Sequence, residues 1–592
     1  MKRGANGVTG SRVAASKGVS FSQSPVLAVR VPSWRSRVVL FVLFAAFLAL
    51  AGRALWLQGL TTQFLQKQGE IRYARTIELP ATRGKIMDRN GQVLASSMPV
   101  KAIWAIPEDV LKEPAPKLRE LAKLLEMSDS ELHKKLDSDK GFVYLKRQVE
   151  QDVVDKVTKL DIEGIQTRKE YKRFYPQGEV TTHVVGFTNV EDIGQESMEL
   201  AQQKTLVGNT GSRRVIKDRL GHIVEDIGAV KEPHDGKDLT LSIDSKIQYI
   251  AFSQVREAVE KYKAKAGAAV VLDVRTGEVL ALANWPSYNP NDRSVLTGEQ
   301  LRNRVLTDTF EPGSTLKPLT VALALDSKRV SPETMYDTAP GHLQVGDKVV
   351  HDSHAHGMLS VAQIIQKSSN VGMAKISLPI PSQEMWEMFT KAGFGQQPKL
   401  GFPGAVAGRV RPYKSWRPIE QVNMAFGQGI SVSLIQLARS YLIYARDGDI
   451  IPLSFQKVTE LPAGQQVISA KTAAQMRAML ESVVSPEGTS PQAQIAGYRV
   501  GGKTGTAQKL IGGHYSNTHY VASFVGIAPM SNPRFVVAVM VDDPSTAVHT
   551  GGGVAGPTWA QITSNALRAA NVAPDSTVTN IIIPANAVEE SM

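Results

Sequence analysis

The residues with the most chemical potential lie in three short stretches of a 592-residue chain. Glu311-Pro312-Gly313-Ser314-Thr315-Leu316-Lys317 opens an apolar run that ends near Leu325. That pattern predicts Ser314 in the first turn of a buried helix, with Lys317 one turn later on the same face. A hydroxyl and an amine are then neighbours, and the helix N-terminus adds free backbone N–H groups where an oxyanion would form. To act as a base, Lys317 must be neutral for part of a cycle, which burial and nearby positive charge favour. Ser368-Ser369-Asn370, after an amphipathic stretch at 359–366, supplies a second hydroxyl and a carboxamide. Lys503-Thr504-Gly505-Thr506 supplies another amine and two hydroxyls. Its glycines at 501, 502 and 505 leave a strand edge bare of side chains, suited to an extended peptide that ends in a carboxylate.

Taken singly these motifs differ in weight. Ser-x-x-Lys is expected by chance about twice in such a chain, Ser-x-Asn is common, and Lys-Thr-Gly is expected only about 0.15 times. Their order and spacing, 54 positions from Ser314 to Ser368 and 135 from Ser368 to Lys503, make together a Ser/Lys acyl-transfer constellation. The absence of cysteine removes thiol nucleophiles, disulfides and thiolate metal sites, so a covalent nucleophile must be an oxygen or an amine.

The elements that position these residues are legible in outline. The 68 Lys and Arg exceed the 56 Asp and Glu by 12, and seven of the cations lie in the first 37 residues, which hold no acid. That leaves +5 for the rest. Such a basic arm argues against a nucleic-acid binder and suits anionic lipid on the cytoplasmic side. Residues 38–57 then form an apolar run broken only by Arg53, long enough at about 1.5 Å per residue to cross a bilayer with the N-terminus inside and the bulk outside. A cleaved signal peptide, with Ala49-Leu50-Ala51 as the cleavage site, is the competing reading.

Residues 58–235 read as an α+β pedestal, with a turn at Asn90-Gly91, a strand at 92–95, an alternating run at 101–106, and helices at 116–127 and 129–136. A polar Pro/Gly patch at 231–237 marks a boundary. After it come a strand at 238–244, a helix at 246–262 and a hairpin formed by 267–272 and 278–283. A second hairpin, 520–527 with 535–541, closes a domain at 236–570 whose strands enclose a helical middle. Residues 571–592 read as a loose tail. The fold class is α+β throughout.

At this point the chain resembles the class B penicillin-binding proteins, monofunctional peptidoglycan D,D-transpeptidases, and most closely their septal, cell-division type. Beyond the three motifs, the resemblance is carried by Gly52-Arg53-Ala54-Leu55-Trp56-Leu57-Gln58, Arg83 to Gly91, Arg173-Phe174-Tyr175-Pro176 with His183-Val184-Val185-Gly186, and Arg213 to Asp218. It continues through Asn303-Arg304, Phe426-Gly427-Gln428-Gly429 and Phe524-Val525-Gly526. The resemblance implies a single-pass inner-membrane protein with a periplasmic transpeptidase domain of serine β-lactamase-like architecture. It further implies Ser314 as nucleophile, Lys317 as its base, Ser368 as proton relay, and Asn370 holding the donor amide. Lys503 with Thr504 and Thr506 would bind the substrate carboxylate, beside the bare strand at Gly505, and the backbone N–H groups of Ser314 and Thr506 would form the oxyanion hole. D-Ala-D-Ala stem peptides are the implied substrate and β-lactams the inhibitors. A membrane glycan polymerase of the shape, elongation, division and sporulation class, with other division proteins, is the implied partner, and neither metal nor nucleotide is required. Three positions depart from the family pattern: Ser197-Met198-Glu199 stands where Gly-Leu-Glu is usual, Ala405 where Glu is usual, and His549-Thr550 where aromatics often precede Gly-Gly.

Other readings compete. Gly497 to Thr504 matches G-x-x-x-x-G-K-[ST], but no buried strand precedes it and glycines interrupt the segment after it, so a P-loop is disfavoured. His351, His354 and His356 have a spacing open to zinc, against a plain polar loop. Arg213, Arg214, Lys217 and Arg219 form a basic run that reads as a solvated or ion-paired part of the pedestal. The same catalytic fold also serves β-lactamases, D,D-carboxypeptidases, elongation-type transpeptidases, and penicillin-binding sensors or scaffolds without turnover.

Overall fold

The computed structural model of the protein describes residues 32–60, 74–217, 223–578 and 580–583. Most of the basic arm, Arg219 and the last residues of the tail lie outside the described residues. The described chain forms two compact units.

The first unit comprises the residues up to Glu78 together with Ser212–Lys231. Among the described residues nothing buries its helix α1 (Ser33–Leu55), and side chains such as Phe41 and Leu50 are about seven-tenths exposed. An apolar helix with no apolar partner needs a non-aqueous neighbour. Ser33–Gly59 contains an 18-residue window of mean hydropathy 2.5 and is, among the described residues, the one helix long and apolar enough to cross a membrane. The expected span at 38–57 lies within it. The unit also holds a three-stranded sheet of Ala74–Leu79, Gly211–Lys217 and Ile223–Lys231, and Arg213, Arg214 and Lys217 lie on its middle strand.

In the second unit, β1 (Val93–Ala105) pairs antiparallel with both β2 (Val143–Val149) and β3 (Ile165–Phe174). Asp88 Oδ1 accepts from the Asn90 and Gln92 N–H groups, and Gly91 at φ +85° completes the turn that feeds β1. The expected strand at 92–95 and the alternating run at 101–106 prove to be one strand. Pro99 joins them where β1 is paired only with β3, so its missing N–H can face away from the ladder. Leu118, Leu121, Leu132 and Leu136, from helices Ala115–Leu124 and Asp129–Leu136, pack with Ile103 and Leu145. The first of these helices stops short of residue 127 because Ser128 caps the second, with Glu131 completing the capping box.

Glu199 is fully buried between two arginines. Arg83 Nε donates to its Oε2 at 2.6 Å and Arg173 Nε to its Oε1 at 2.7 Å. Ser197, where the family pattern has glycine, adopts the left-handed φ of +51°, and its hydroxyl donates to the His183 carbonyl at 2.9 Å.

The expected strand at 238–244 shortens to Leu239–Thr240, because the chain turns at Ser242 and Asp244 is used to cap α2 (Ser245–Lys261), accepting from the Lys246 and Ile247 N–H groups. Beyond α2 lies a five-stranded antiparallel sheet. In chain order its strands are β4 (Ala266–Asp273), β5 (Val279–Trp285), β6 (Gly501–Ile511), β7 (His514–Ala528) and β8 (Phe535–Asp542), and in space the order is β5-β4-β8-β7-β6. Both faces are covered, so alternate residues enter different cores. Val537, Val539 and Val541 join the layer formed by α2 and α6 (Gly556–Ala569), whereas Val536, Ala538 and Met540 join the core of the helical middle. β6 forms one edge of the sheet. Parts of the tail are docked rather than loose: Asp575 accepts from the Arg499 and Ser531 N–H groups, the Gly497 N–H donates to the Val578 carbonyl, and Gln494 Nε2 donates to the Ile582 carbonyl.

Burial also sets a pH response. His183 is held to about 4 by desolvation, with Arg304 acting in the same direction, and its Nε2–H donates to the Gln300 carbonyl at 2.7 Å. Between pH 6.5 and 4 the unfolded chain binds a proton that the folded one refuses, so this residue's stabilising effect is lost as pH falls, by about 3 kcal/mol in full. Asp192, pushed up to about 6 mainly by burial, opposes this trend. Urea melts of the protein and of His183→Gln should therefore show a stability gap that narrows by about 3 kcal/mol from pH 7 to pH 4. A constant gap would contradict the buried neutral imidazole.

Candidate active site

Three elements converge where the motifs meet. Pro312 and Gly313 (φ +54°) turn the chain into a 3-10 turn, Gly313–Leu316, which runs directly into helix α3 (Lys317–Asp326). Ser314 therefore sits on the 3-10 turn ahead of the α-helix, not in the helix's own first turn. Pro318 occupies the helix start, where its missing N–H costs nothing. The turn is pinned from several sides. Thr315 Oγ1 donates to the Pro312 carbonyl at 2.6 Å, Tyr441 Oη donates to the Thr315 carbonyl at 2.8 Å, and the Gly313 N–H donates to the Gly427 carbonyl at 3.1 Å. A Cβ at Gly427 would lie 2.1 Å from the Gly313 oxygen, which explains why that position of Phe426-Gly427-Gln428-Gly429 is glycine.

Ser368 ends helix α4 (Val361–Lys367) in the left-handed conformation, φ +61°, and Ser369 begins helix α5 (Asn370–Ser377). A serine held at such a φ costs on the order of 1–3 kcal/mol and needs surroundings that enforce it. Lys317, fully buried, supplies part of that enforcement: its Nζ donates to the Ser368 carbonyl at 2.5 Å and to Ser368 Oγ at 3.1 Å. Ser368 Oγ in turn donates to Ser314 Oγ at 3.1 Å. Lys317, Ser368 and Ser314 thus form one hydrogen-bonded relay.

Lys503, Thr504, Gly505 and Thr506 lie on edge strand β6. Lys503 is fully buried and its Nζ donates to Thr504 Oγ1 at 3.0 Å. Thr506 Oγ1 accepts from the Gly551 N–H at 2.9 Å. A Cβ at Gly505 would meet Ser523 Oγ at 2.6 Å and the Pro312 carbonyl at 2.8 Å, so only glycine lets β6 lie this close to the Ser314 turn. Lys503 in mid-strand also disposes of the P-loop reading, in which that lysine would open a helix. Every predicted site residue is thereby accounted for. Asn370 is the outermost, its Nδ2 donating to the His351 carbonyl at 3.1 Å.

Asp352 was not anticipated. Its carboxylate accepts from Ser369 Oγ at 2.6 Å and from the N–H groups of Asn370 at 2.5 Å and Val371 at 2.9 Å, so it caps α5 and fixes the segment that carries Ser368 and Asn370. The signal was its place among His351, His354 and His356, read there as a metal cluster or a polar loop; its partners are 17 to 19 positions away. Among the described residues no group of three or more His, Asp or Glu is arranged to hold a metal. We expect Asp352→Ala to slow acylation by penicillin about 10- to 100-fold, in the first-order rate rather than in initial affinity, with partial rescue in Asp352→Asn. Time-resolved labelling over a range of penicillin concentrations separates the two, and an unchanged rate would remove Asp352 from any positioning role. The His549 departure also has a reading: its ring stacks on Tyr520 at 4.5 Å, as an aromatic residue would.

Comparison with known proteins agrees with this geometry. The family described as "Penicillin binding protein transpeptidase domain" matches residues 267–564, and "Penicillin-binding Protein dimerisation domain" matches residues 78–241. The chain is 42% identical over 549 residues to the probable peptidoglycan D,D-transpeptidase PenA of Neisseria gonorrhoeae, covering 92% of this chain and 94% of that one. It is 39% identical over 554 residues to the peptidoglycan D,D-transpeptidase FtsI of Escherichia coli, with the same coverages. Among solved structures, the apo TP domain of Burkholderia pseudomallei penicillin-binding protein 3 is 53% identical and superposes with a TM-score of 0.53 over 57% of this chain and 98% of that one.

Proposed function

Because the chain belongs to the class B penicillin-binding proteins and is a serine peptidoglycan D,D-transpeptidase that binds β-lactams, we propose that Ser314 is its nucleophile and Lys317 the base. The observation that carries this is the relay from Lys317 Nζ through Ser368 Oγ to Ser314 Oγ, each step 3.1 Å. With Lys317 neutral, the Ser314 proton moves toward its Nζ as Ser314 Oγ attacks the penultimate D-Ala carbonyl. The negative charge on that carbonyl oxygen is met by the backbone N–H groups of Ser314 and Thr506. Ser368 passes the proton to the departing D-Ala amine, and an ester on Ser314 remains. An amine from a second stem then attacks the ester, its proton returns along the same relay, and an amide cross-link replaces the bond that was broken.

The donor lies along β6. Asn370 holds its amide, and the Thr506 hydroxyl, backed by the buried charge of Lys503 beside Thr504, receives its terminal carboxylate. The resemblance around residues 52–58 supports septal synthesis as the setting. The N-terminus is cytoplasmic, α1 spans the inner membrane, residues 236–570 are the periplasmic catalytic domain, and residues 58–235 with the span contact a membrane glycan polymerase. Incubating the full chain with a D-Ala-D-Ala donor and an amine acceptor tests the reaction. Release of D-Ala matched by cross-linked dimer is expected, and release without dimer would indicate a carboxypeptidase.

A further inference from the structure

We propose that the cavity beside the helix Leu434–Ser440 is a binding site for the carboxylate of a small aliphatic acid, with Arg439 as its anchor. The cavity holds about 200 Å³, and no residue of the three catalytic motifs lines it. Its walls follow from the course of the chain. Helix Ser382–Lys391 ends at Ala392, and Gly393, left-handed at φ +98°, turns the chain into the loop that carries Lys399. Gln436 ties this loop to the helix Leu434–Ser440, its Nε2 donating to the Gly393 carbonyl at 3.1 Å and to the Gln396 carbonyl at 3.0 Å. Pro452 and Leu453 line the cavity from the segment after Ile451.

Arg439 is the residue that needs a partner. Its Nε donates to the Ile451 carbonyl at 3.0 Å, and its Nη1 lies 2.7 Å from where a Gly393 Cβ would be, so the guanidinium is laid along that glycine. Neither Nη atom has a hydrogen-bond or acid partner among the described residues. Burial holds its pKa below the ordinary value, with no acid acting against that shift. Lys399 lines the same cavity, is exposed and has no acid partner among the described residues, and no acid stands among the lining residues. A guanidinium withdrawn from water with both Nη groups unused is costly unless an anion or water fills the gap. The rest of the lining favours an anion with an apolar body, because Pro398, Leu400, Ile435, Pro452 and Leu453 supply it. At interior packing density the volume takes about eight non-hydrogen atoms. A short aliphatic acid fits, its carboxylate on the Nη pair and its carbons against Ile435 and Leu400. Inorganic phosphate matches the charge and leaves those walls wet. A free acid and the last residue of a peptide share the fitting chemistry.

The test is equilibrium dialysis of the full chain against labelled isocaproate, with unlabelled isocaproate, isocaproamide, inorganic phosphate and glycyl-glycyl-leucine as competitors. One saturable site per chain is expected, and the unlabelled acid should compete about ten-fold or more better than the amide or phosphate. Arg439→Gln should weaken binding about ten-fold or more, and Lys399→Gln about three-fold. Lys399 is exposed, so its variant keeps the fold and decides the question even where Arg439→Gln does not fold; a thermal melt of each variant reports which are folded. Competition by glycyl-glycyl-leucine equal to that of the acid identifies a peptide C-terminus as the occupant, and competition by the free acid alone identifies a small free acid. Absence of saturable uptake, equal competition by the amide or by phosphate, or unchanged affinity in either folded variant would overturn the site.

Discussion

Ser314→Ala leaves a folded protein that forms no covalent adduct with penicillin, and Lys317→Met lowers the acylation rate by about 10⁴-fold or more. The expected size follows from roles that cannot be shared. On the proposed roles Ser314 Oγ carries the acyl group, and the chain has no cysteine to replace it. Removing the Lys317 amine takes away the proton acceptor at the other end of the relay. It also removes the bond to the Ser368 carbonyl that helps hold this serine at φ +61°. Methionine is the better substitution because Lys317 is fully buried, and alanine would add a cavity to the chemical loss. Penicillin labelling kinetics with a parallel thermal melt reads both effects. Acylation by Lys317→Met within ten-fold of the unaltered rate would give the base to another group.

The second large effect is on stability. Glu199→Ala should destabilise the protein by about 3–5 kcal/mol, because it leaves two buried guanidinium groups without their shared anion. Arg83 and Arg173 are at most one-twentieth exposed and point their Nε atoms at opposite oxygens of Glu199, and Arg83 also donates to the Glu199 and Asp192 carbonyls. They join the turn before β1, the end of β3 and the loop at Asp192, so one carboxylate organises three stretches of the pedestal. Replacing all three residues by apolar side chains of matched volume should recover most of the loss, since the pair's attraction mainly offsets its own desolvation. Urea midpoints report this directly. A Glu199→Ala midpoint close to that of the unaltered protein would mean that water or another acid reaches the arginines.

The sequence made some of this visible and hid the rest for physical reasons. The hairpins β4–β5 and β7–β8 were legible because short apolar runs end at turn-forming residues, and α2 because its apolar spacing is helical. Ser314, Lys317, Ser368, Asn370 and Lys503 could be picked out as candidates because their motifs recur in a set order and spacing, and the fold links Lys317, Ser368 and Ser314 by hydrogen bonds. Strand 238–244 was overestimated because alternation cannot reveal that Asp244 is claimed by a helix cap. The strand at 92–95 and the alternating run at 101–106 proved to be one strand, because Pro99 is excluded from a strand only where both neighbours need its N–H. Asp352 could not be found from local pattern at all, since its role is a contact across 17 to 19 residues of chain.

The most direct test of the central claim is to treat the full chain with penicillin, measure the intact mass, and map the adduct by proteolysis. One penicilloyl group on the peptide containing Ser314, stable through a chase and absent from Ser314→Ala, is the predicted result. An adduct on another residue, or rapid loss of the label to water, would contradict it.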